Sequence, residues 1–245
     1  MVIIMELIVV ETELEFARTA AAEVSRQVIV KPESLIGLAT GNTTIDIFNW
    51  MVRLHEELGI DYSRCKTCNL DEYAGVAPEA PASCRYRINE QLLGKININI
   101  ENTYVPNGLC APPEKELDVF RETVERFGGI DLQVLSIGGN GHIAFNEPGT
   151  PFESTYRIAP ISDSTIRAKA SLFGGEDKVP RYGITMGIKD ICLAKKILLV
   201  AKGRHKAEAI SKVVNGPLTE DIPATVLMLH PNLTIIVDRA AASKI

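Results

Sequence analysis

Asp131-Leu132-Gln133-Val134-Leu135-Ser136-Ile137 runs without a break into Gly138-Gly139-Asn140-Gly141-His142-Ile143-Ala144-Phe145-Asn146-Glu147-Pro148-Gly149-Thr150-Pro151. The first part is a strand-length, mostly apolar run; the second is a glycine-rich loop closed by Pro-Gly and Thr-Pro breakers. A buried strand that empties into such a loop is the unit of a parallel α/β sheet, where ligands bind beyond the carboxyl ends of strands. Gly139-x-Gly141-x-x-Ala144 has the spacing of a dinucleotide-binding turn. That turn requires a helix to open at once, and Asn146-Glu147-Pro148-Gly149 breaks the chain instead, so a dehydrogenase is disfavoured. His142 and Glu147 stand close together among glycines. Imidazole exchanges protons at about pH 6.5, and a neighbouring carboxylate orients and charges it, so the loop is read as carrying acid/base chemistry.

The same alternation extends outward in both directions. Thr12-x-x-Glu15 has capping-box spacing, and Phe16, Ala17, Ala20, Ala21 and Val24 follow on one helical face. Residues 1–10 read as an N-terminal strand and 34–39 as a short buried strand, after which Ile45, Phe48, Met51, Val52 and Leu58 recur at helical spacing. Residues 67–70 read as a strand that stops at Asp71-Glu72-Tyr73. Helices are expected over 83–93 and after Pro112-Pro113, the latter turning Leu117, Phe120, Val124 and Phe127 inward. Strands follow near 182–187, over 196–201 and over 233–238, with a helix after Gly203. No repeat or linker divides the chain, so residues 1–245 are read as one domain. The fold class is α/β: a modified Rossmann-like three-layer arrangement around a mostly parallel central sheet.

Composition narrows the function. The chain has 245 residues, 46% of them hydrophobic and 23% charged, with 26 Lys+Arg against 31 Asp+Glu and a net charge of −5. This balance excludes disorder and argues against nucleic-acid or polyanionic membrane partners, while leaving room for a local basic pocket. The opening MVIIMELIVV is short, lacks a basic flank and is interrupted by Glu6, so it is read as a strand rather than a signal peptide or membrane anchor. Five cysteines, at 65, 68, 84, 110 and 192, form an odd set, which suggests free thiols in a reducing cytoplasm. Cys65-x-x-Cys68 has no second Cys/His pair at zinc spacing and leads into a strand, so it is not read as a metal or redox pair.

Three further strand ends carry candidate chemistry. Thr40-Gly41-Asn42-Thr43 pairs hydroxyls with a glycine able to take a positive φ ahead of a helix, which makes either an anion cradle or an ordinary cap. Asp71 and Glu72 provide either a general base or a solvated loop. Lys202-Gly203-Arg204-His205-Lys206 places cations at a helix start, against the helix dipole, for which an anionic ligand is one reason.

Seven segments, in order and spanning nearly the whole chain, resemble the glucosamine-6-phosphate deaminase family, within the wider group that includes 6-phosphogluconolactonases: LATGNTT (38–44), NLDEYAGV (69–76), SCRYRINEQL (83–92), IGGNGHIAFNEPGT (137–150), VPRYGITMGI (179–188), GRHKAEAI (203–210) and LHP (229–231). The lactonase branch has an Asp-Gly-His loop without the Phe-Asn-Glu-Pro continuation. The resemblance implies isomerisation and deamination of a small phosphorylated aminosugar, with no metal or organic cofactor. It implies His142 as the ring-opening acid/base, held by Glu147 and Asn140, and Asp71 as the carboxylate that moves a proton from C2 to C1. It further implies Thr40, Gly41, Asn42, Thr43 and Lys206 as the 6-phosphate site. The family includes monomers and larger assemblies, so a homo-oligomer is allowed.

Departures from the family pattern set further expectations. Asn140 stands where many members have Asp; an amide orients an imidazole without adding charge beside it. Cys84 replaces a common Tyr. Ser171 falls where an Arg grips the phosphate, so Arg167, Lys169 or Arg204 is expected to substitute, or the binding mode to shift. Arg157 matches an activator site of some members, but Ala159 replaces a Lys there. Besides glucosamine 6-phosphate, the reading admits galactosamine 6-phosphate, a binding module without catalysis, and a 6-phosphogluconolactonase-like hydrolase.

Overall fold

The computed structural model describes residues 4–245, so residues 1–3 of the expected first strand lie outside the described residues. In chain order the elements are β1 (Ile4–Val10), α1 (Glu13–Val30), β2 (Leu35–Leu38), α2 (Ile45–Leu58), β3 (Lys66–Asn69), β4 (Asp71–Tyr73), α3 (Cys84–Gln91), β5 (Thr103–Tyr104), α4 (Glu114–Arg126), β6 (Leu132–Ser136), β7 (Arg157–Pro160), α5 (Asp163–Phe173), β8 (Tyr182–Thr185), α6 (Ile188–Cys192), β9 (Ile197–Ala201), α7 (Ala207–Asn215) and β10 (Asn232–Asp238).

A seven-stranded sheet has the order β1-β10-β9-β6-β2-β3-β5, and its paired neighbours all run parallel. Alternation along its strands feeds two separate apolar layers. Leu198 and Val200 of β9 join Val24 of α1, Phe48 and Met51 of α2 and Ile88 of α3. Ile197, Leu199 and Ala201 join Phe120 of α4, Ile191 of α6 and Ile210 of α7. This is the expected three-layer arrangement. The capping residue expected for α1 holds: Thr12 Oγ1 accepts from the Glu15 N–H at 3.1 Å, and Phe16, Ala17, Ala20, Ala21 and Val24 are all buried. On α2 the inward set differs slightly. Ile47 is fully buried, whereas Leu58, in the last turn, is 69% exposed.

Cys65 and Cys68 belong to opposite layers. Burial pushes each thiol up to about 12, so the two behave as small core residues that do not face each other.

One part of the expected pattern is corrected. Residues 182–185 do not extend the parallel sheet. They form the middle strand of a second, three-stranded antiparallel sheet, β4-β8-β7, in which Asp71, Glu72 and Tyr73 pair with Thr185, Ile184 and Gly183. The chain therefore does not stop at Asp71 as a loop. The Leu70 N–H bonds Leu38 O at 3.1 Å and the Met186 N–H bonds Leu70 O at 2.9 Å, so β3 hands over to β4 within one residue. This second sheet lies beyond the carboxyl end of β3.

In the main sheet β2 and β6 are neighbours. From β2 the order runs to β3 and β5 on one side, and from β6 to β9 and β10 on the other. Loops after adjacent strands that lead to opposite sides leave a crevice between them, where an open α/β sheet binds ligands.

Candidate active site

That crevice is a cleft of about 550 Å³, a size suited to a small metabolite. Loops after β2, β6 and β9 meet there with the first residue of β4 and with α5. Thr40, Gly41, Asn42, Thr43, Asp71, Asn140, His142 and Lys206 all line it. Glu147 stands behind Asn140 and His142 and is reached through them.

The loop after β6 is built to hold one imidazole. The Gly138 N–H donates to His142 O at 2.9 Å, curling the chain so that the ring lies over Gly138. A Cβ on residue 138 would sit 2.3 Å from the ring, so glycine is required by close approach. His142 Nδ1 meets Asn140 Oδ1 at 2.7 Å, and the same oxygen accepts the His142 N–H at 3.2 Å. Asn140 Nδ2 donates to Glu147 Oε2 at 2.8 Å. A backbone N–H only donates and an ionised carboxylate only accepts, so the two partners fix the amide's orientation. Asn140 Oδ1 must then receive a proton from Nδ1, which leaves the Nε2 lone pair as the free edge of the ring.

Burial raises the proton affinity of Glu147, but hydrogen bonds from His142, Thr165 and Asn140 outweigh it. Its carboxyl is held down at about 2. Thr165 Oγ1 donates to Glu147 Oε1 at 2.6 Å, and Thr165 is itself fixed by Ser162, the N-cap of α5. Asn146, fully buried, donates to Ile143 O and Met186 O and accepts from Arg157, which also bonds Thr150 Oγ1 at 3.1 Å. The Arg157 guanidinium thus ties down the loop that carries Glu147, and Ala159 beside it is buried.

Across the cleft, Asp71 has no such set of donors. Burial and the adjacent Glu72 charge push it up to about 6, against the pull of Lys169, Cys84 and His142. Its side-chain hydrogen bond is a long one, from Cys84 Sγ at 3.6 Å. Glu72 points the other way, as strand pleating dictates. It accepts from the Tyr73, Cys84 and Arg85 N–H groups and from Ser83 Oγ, at 2.8–3.0 Å. An anion at a helix N-terminus is favourably placed. Of the two sequence candidates at this strand end, Glu72 therefore caps α3, and Asp71 faces the cleft.

The Thr40–Thr43 turn precedes α2. Gly41 does not take the positive φ expected of it, and a Cβ there would meet no protein atom within 4 Å. The space it leaves open belongs to the cleft. Thr40 Oγ1 is buried without a hydrogen-bond partner. Lys206, buried at the end of a 3₁₀ turn, donates to Thr43 Oγ1 at 2.7 Å and Ser136 Oγ at 3.0 Å. Burial, then the charges of Lys169 and Lys202, lower it to about 8. The other cations of that segment go elsewhere. Lys202 pairs with Asp46 at 2.6 Å, and Arg204 is exposed.

Position 171 lies away from the cleft: Ser171 is exposed and outside the cleft lining, as is Arg167. Lys169 lines the cleft. Thr165, Ser136 and Tyr73 were not legible as site residues. The one signal for Thr165 is the Ser162-x-x-Thr165 spacing of a helix start, which carries no functional information.

A family model described as glucosamine-6-phosphate isomerases/6-phosphogluconolactonase matches residues 11–235. The chain is 42% identical over 241 residues to the glucosamine-6-phosphate deaminase of Thermoanaerobacter pseudethanolicus, covering 98% of this chain and 95% of that one. It is 41% identical to that of Clostridium botulinum, covering 98% and 99%. A solved structure described as a monomeric glucosamine-6-phosphate deaminase superposes with a TM-score of 0.96 at 36% identity, covering 98% of this chain and all of that one. The 6-phosphogluconolactonase of Trypanosoma brucei superposes at 0.81 with 15% identity, which is a likeness of fold.

Proposed function

The chain belongs to the glucosamine-6-phosphate isomerase/6-phosphogluconolactonase family, and from that premise we propose that it is a glucosamine-6-phosphate deaminase, converting glucosamine 6-phosphate and water to fructose 6-phosphate and ammonia. The observation that supports this most directly is that one cleft holds an imidazole with a free Nε2 and a carboxyl pushed up to about 6. The reaction needs two proton-transfer agents working near neutrality, and these are suited to it.

His142 Nε2 takes the proton of the anomeric hydroxyl and returns it to the ring oxygen, opening the pyranose. Asn140 holds the ring's other nitrogen, and the Glu147 charge stabilises the imidazolium formed in passing. Asp71 removes the C2 proton of the open 2-ammonio aldehyde while the ammonium passes a proton to O1, giving a neutral enolamine, and Asp71 then delivers its proton to C1. One carboxylate reaches both carbons because they are adjacent in a planar intermediate. The product is a C2 iminium; water adds to it and ammonia departs. Thr40, Gly41, Asn42, Thr43 and Lys206 bind the 6-phosphate through N–H groups, hydroxyls and one ammonium. Lys206, lowered to about 8, keeps its charge at neutral pH and loses it as the pH rises through that value.

Ammonia release from glucosamine and galactosamine 6-phosphates tests the proposal. Glucosamine 6-phosphate is expected to have the higher kcat/KM. Preference for the galactosamine epimer would reassign the substrate, and absence of turnover with both would overturn the reading.

A further inference from the structure

We propose that Lys169 is the cation that, beside Lys206, receives the 6-phosphate of the substrate, so that α5 carries its phosphate charge at position 169. The proposal rests on the aminosugar-phosphate reading above and adds a binding residue to it.

Four observations converge on Lys169. It lines the cleft from α5, on the face that also presents Ser164, Thr165 and Ala168. Burial lowers the proton affinity of its ammonium, and the charge of Arg87 lowers it further. Among the described residues it makes no ion pair and no side-chain hydrogen bond, whereas Lys206 has two hydroxyl partners. A partly buried cation without a partner lacks the compensation that desolvation requires, and a ligand anion entering the cleft supplies it. Lastly, Lys169 is the largest charged contributor to the lowered proton affinity of Lys206. Both ammonium groups line the cleft and their charges repel, so a phosphate dianion bound there relieves both.

Asp71 also feels Lys169, which raises a competing role: a charge partner of the carboxylate with no part in binding. The two roles separate by experiment. The full-length protein is titrated calorimetrically with 2-amino-2-deoxyglucitol 6-phosphate, an open-chain alditol that cannot react, and with its phosphate-free counterpart. Lys169→Met is expected to weaken binding of the phosphate ester by ~10–100-fold, the range for one charge-assisted contact. The phosphate-free alditol should bind the variant and the parent alike, and KM for glucosamine 6-phosphate should rise with a smaller change in kcat. Lys169→Arg should recover most of the affinity. Lys169→Gln provides the same test should the Met variant melt at a lower temperature than the parent.

Unchanged affinity for the phosphate ester would overturn the proposal. So would an equal loss for both alditols, or an effect confined to the acid limb of kcat. A parent protein that binds the ester in a Lys169-dependent way yet releases no ammonia would refute the reaction and leave the anion site standing.

Discussion

Asp71 lines the cleft and Glu147 stands just behind it, and burial acts on both in the same direction, yet Asp71 is pushed up to about 6 and Glu147 is held down at about 2. The difference lies in donors. Glu147 receives Thr165 Oγ1 at 2.6 Å and Asn140 Nδ2 at 2.8 Å, and has His142 at 3.5 Å. Asp71 receives a thiol at 3.6 Å and sits beside the negative Glu72. A carboxylate crowded by donors is a fixed charge. One with few donors and a like-charged neighbour can exchange a proton near neutrality. The two carboxyl groups thus differ in the way that acid/base chemistry asks of its partners.

The largest effect should come from removing the exchangeable side. Asp71→Asn is expected to lower turnover by about 10³–10⁴-fold while the unreactive alditol phosphate still binds; retained turnover would break the contrast outright. The same residue sets the pH response. In the parent protein kcat/KM should fall as the pH drops through about 6, where Asp71 takes up its proton. The linkage has a definite sign. A carboxyl whose folded value lies above its ordinary 3.8 destabilises the fold in full above about 6, and this cost shrinks as the pH falls from about 6 and is gone below about 3.8. Urea unfolding at pH 8 should therefore show the Asn variant to be the more stable, by at most about 3 kcal/mol.

A smaller effect is expected at the imidazole. His142→Ala should cost about 10²-fold on the pyranose and much less on an open-chain aldehyde substrate, because only the former needs ring opening. Equal losses on both would show that His142 serves a later step. The smallest effect should follow Asn140→Asp, which keeps an acceptor at His142 Nδ1 but replaces the amide donor to Glu147 with a second carboxylate. A change of no more than about threefold in kcat is expected at pH 7.5, since one charge already stands behind the ring. A loss above tenfold would mean that the Nδ2–Glu147 bond, rather than the acceptor, is what matters.

Much of this site was legible in the sequence because strand ends in a parallel sheet converge. Once Leu135, Leu38 and Leu199 are recognised as lying in buried strands, the loops after them must meet, and Thr40, His142 and Lys206 come with them. Period and breakers do not report which partner a strand takes. Three-residue β4 and four-residue β8 pair antiparallel outside the main sheet, through hydrogen bonds that leave no trace in side-chain pattern. For the same reason pattern alone left Asp71 and Glu72 indistinguishable; the resemblance pointed to Asp71, and the handover at Leu70 gives the two their facing. Thr165 was invisible because its value lies in one contact with Glu147, eighteen residues away along the chain. At Ser171 the family resemblance implied a missing cation, and the residue is exposed outside the cleft. Lys169 was one of three candidates to replace it, and only the folded helix showed that it, rather than Arg167 or Arg204, lines the cleft.

The abrupt turn from β3 into β4 has a consequence for how this protein tolerates change. Asp71 and Glu72 differ by one methylene, and the pleat alone assigns one to the cleft and the other to the cap of α3. Inserting a single residue between Lys66 and Leu70 would carry the aspartate to the cap and bring a leucine to the cleft, whereas deleting one would present the glutamate to the cleft and leave a tyrosine at the cap. Drift in side-chain identity along this stretch can be absorbed one position at a time, whereas a frame-preserving indel disturbs two jobs at once. The segment's length, more than its composition, is what heredity has to conserve.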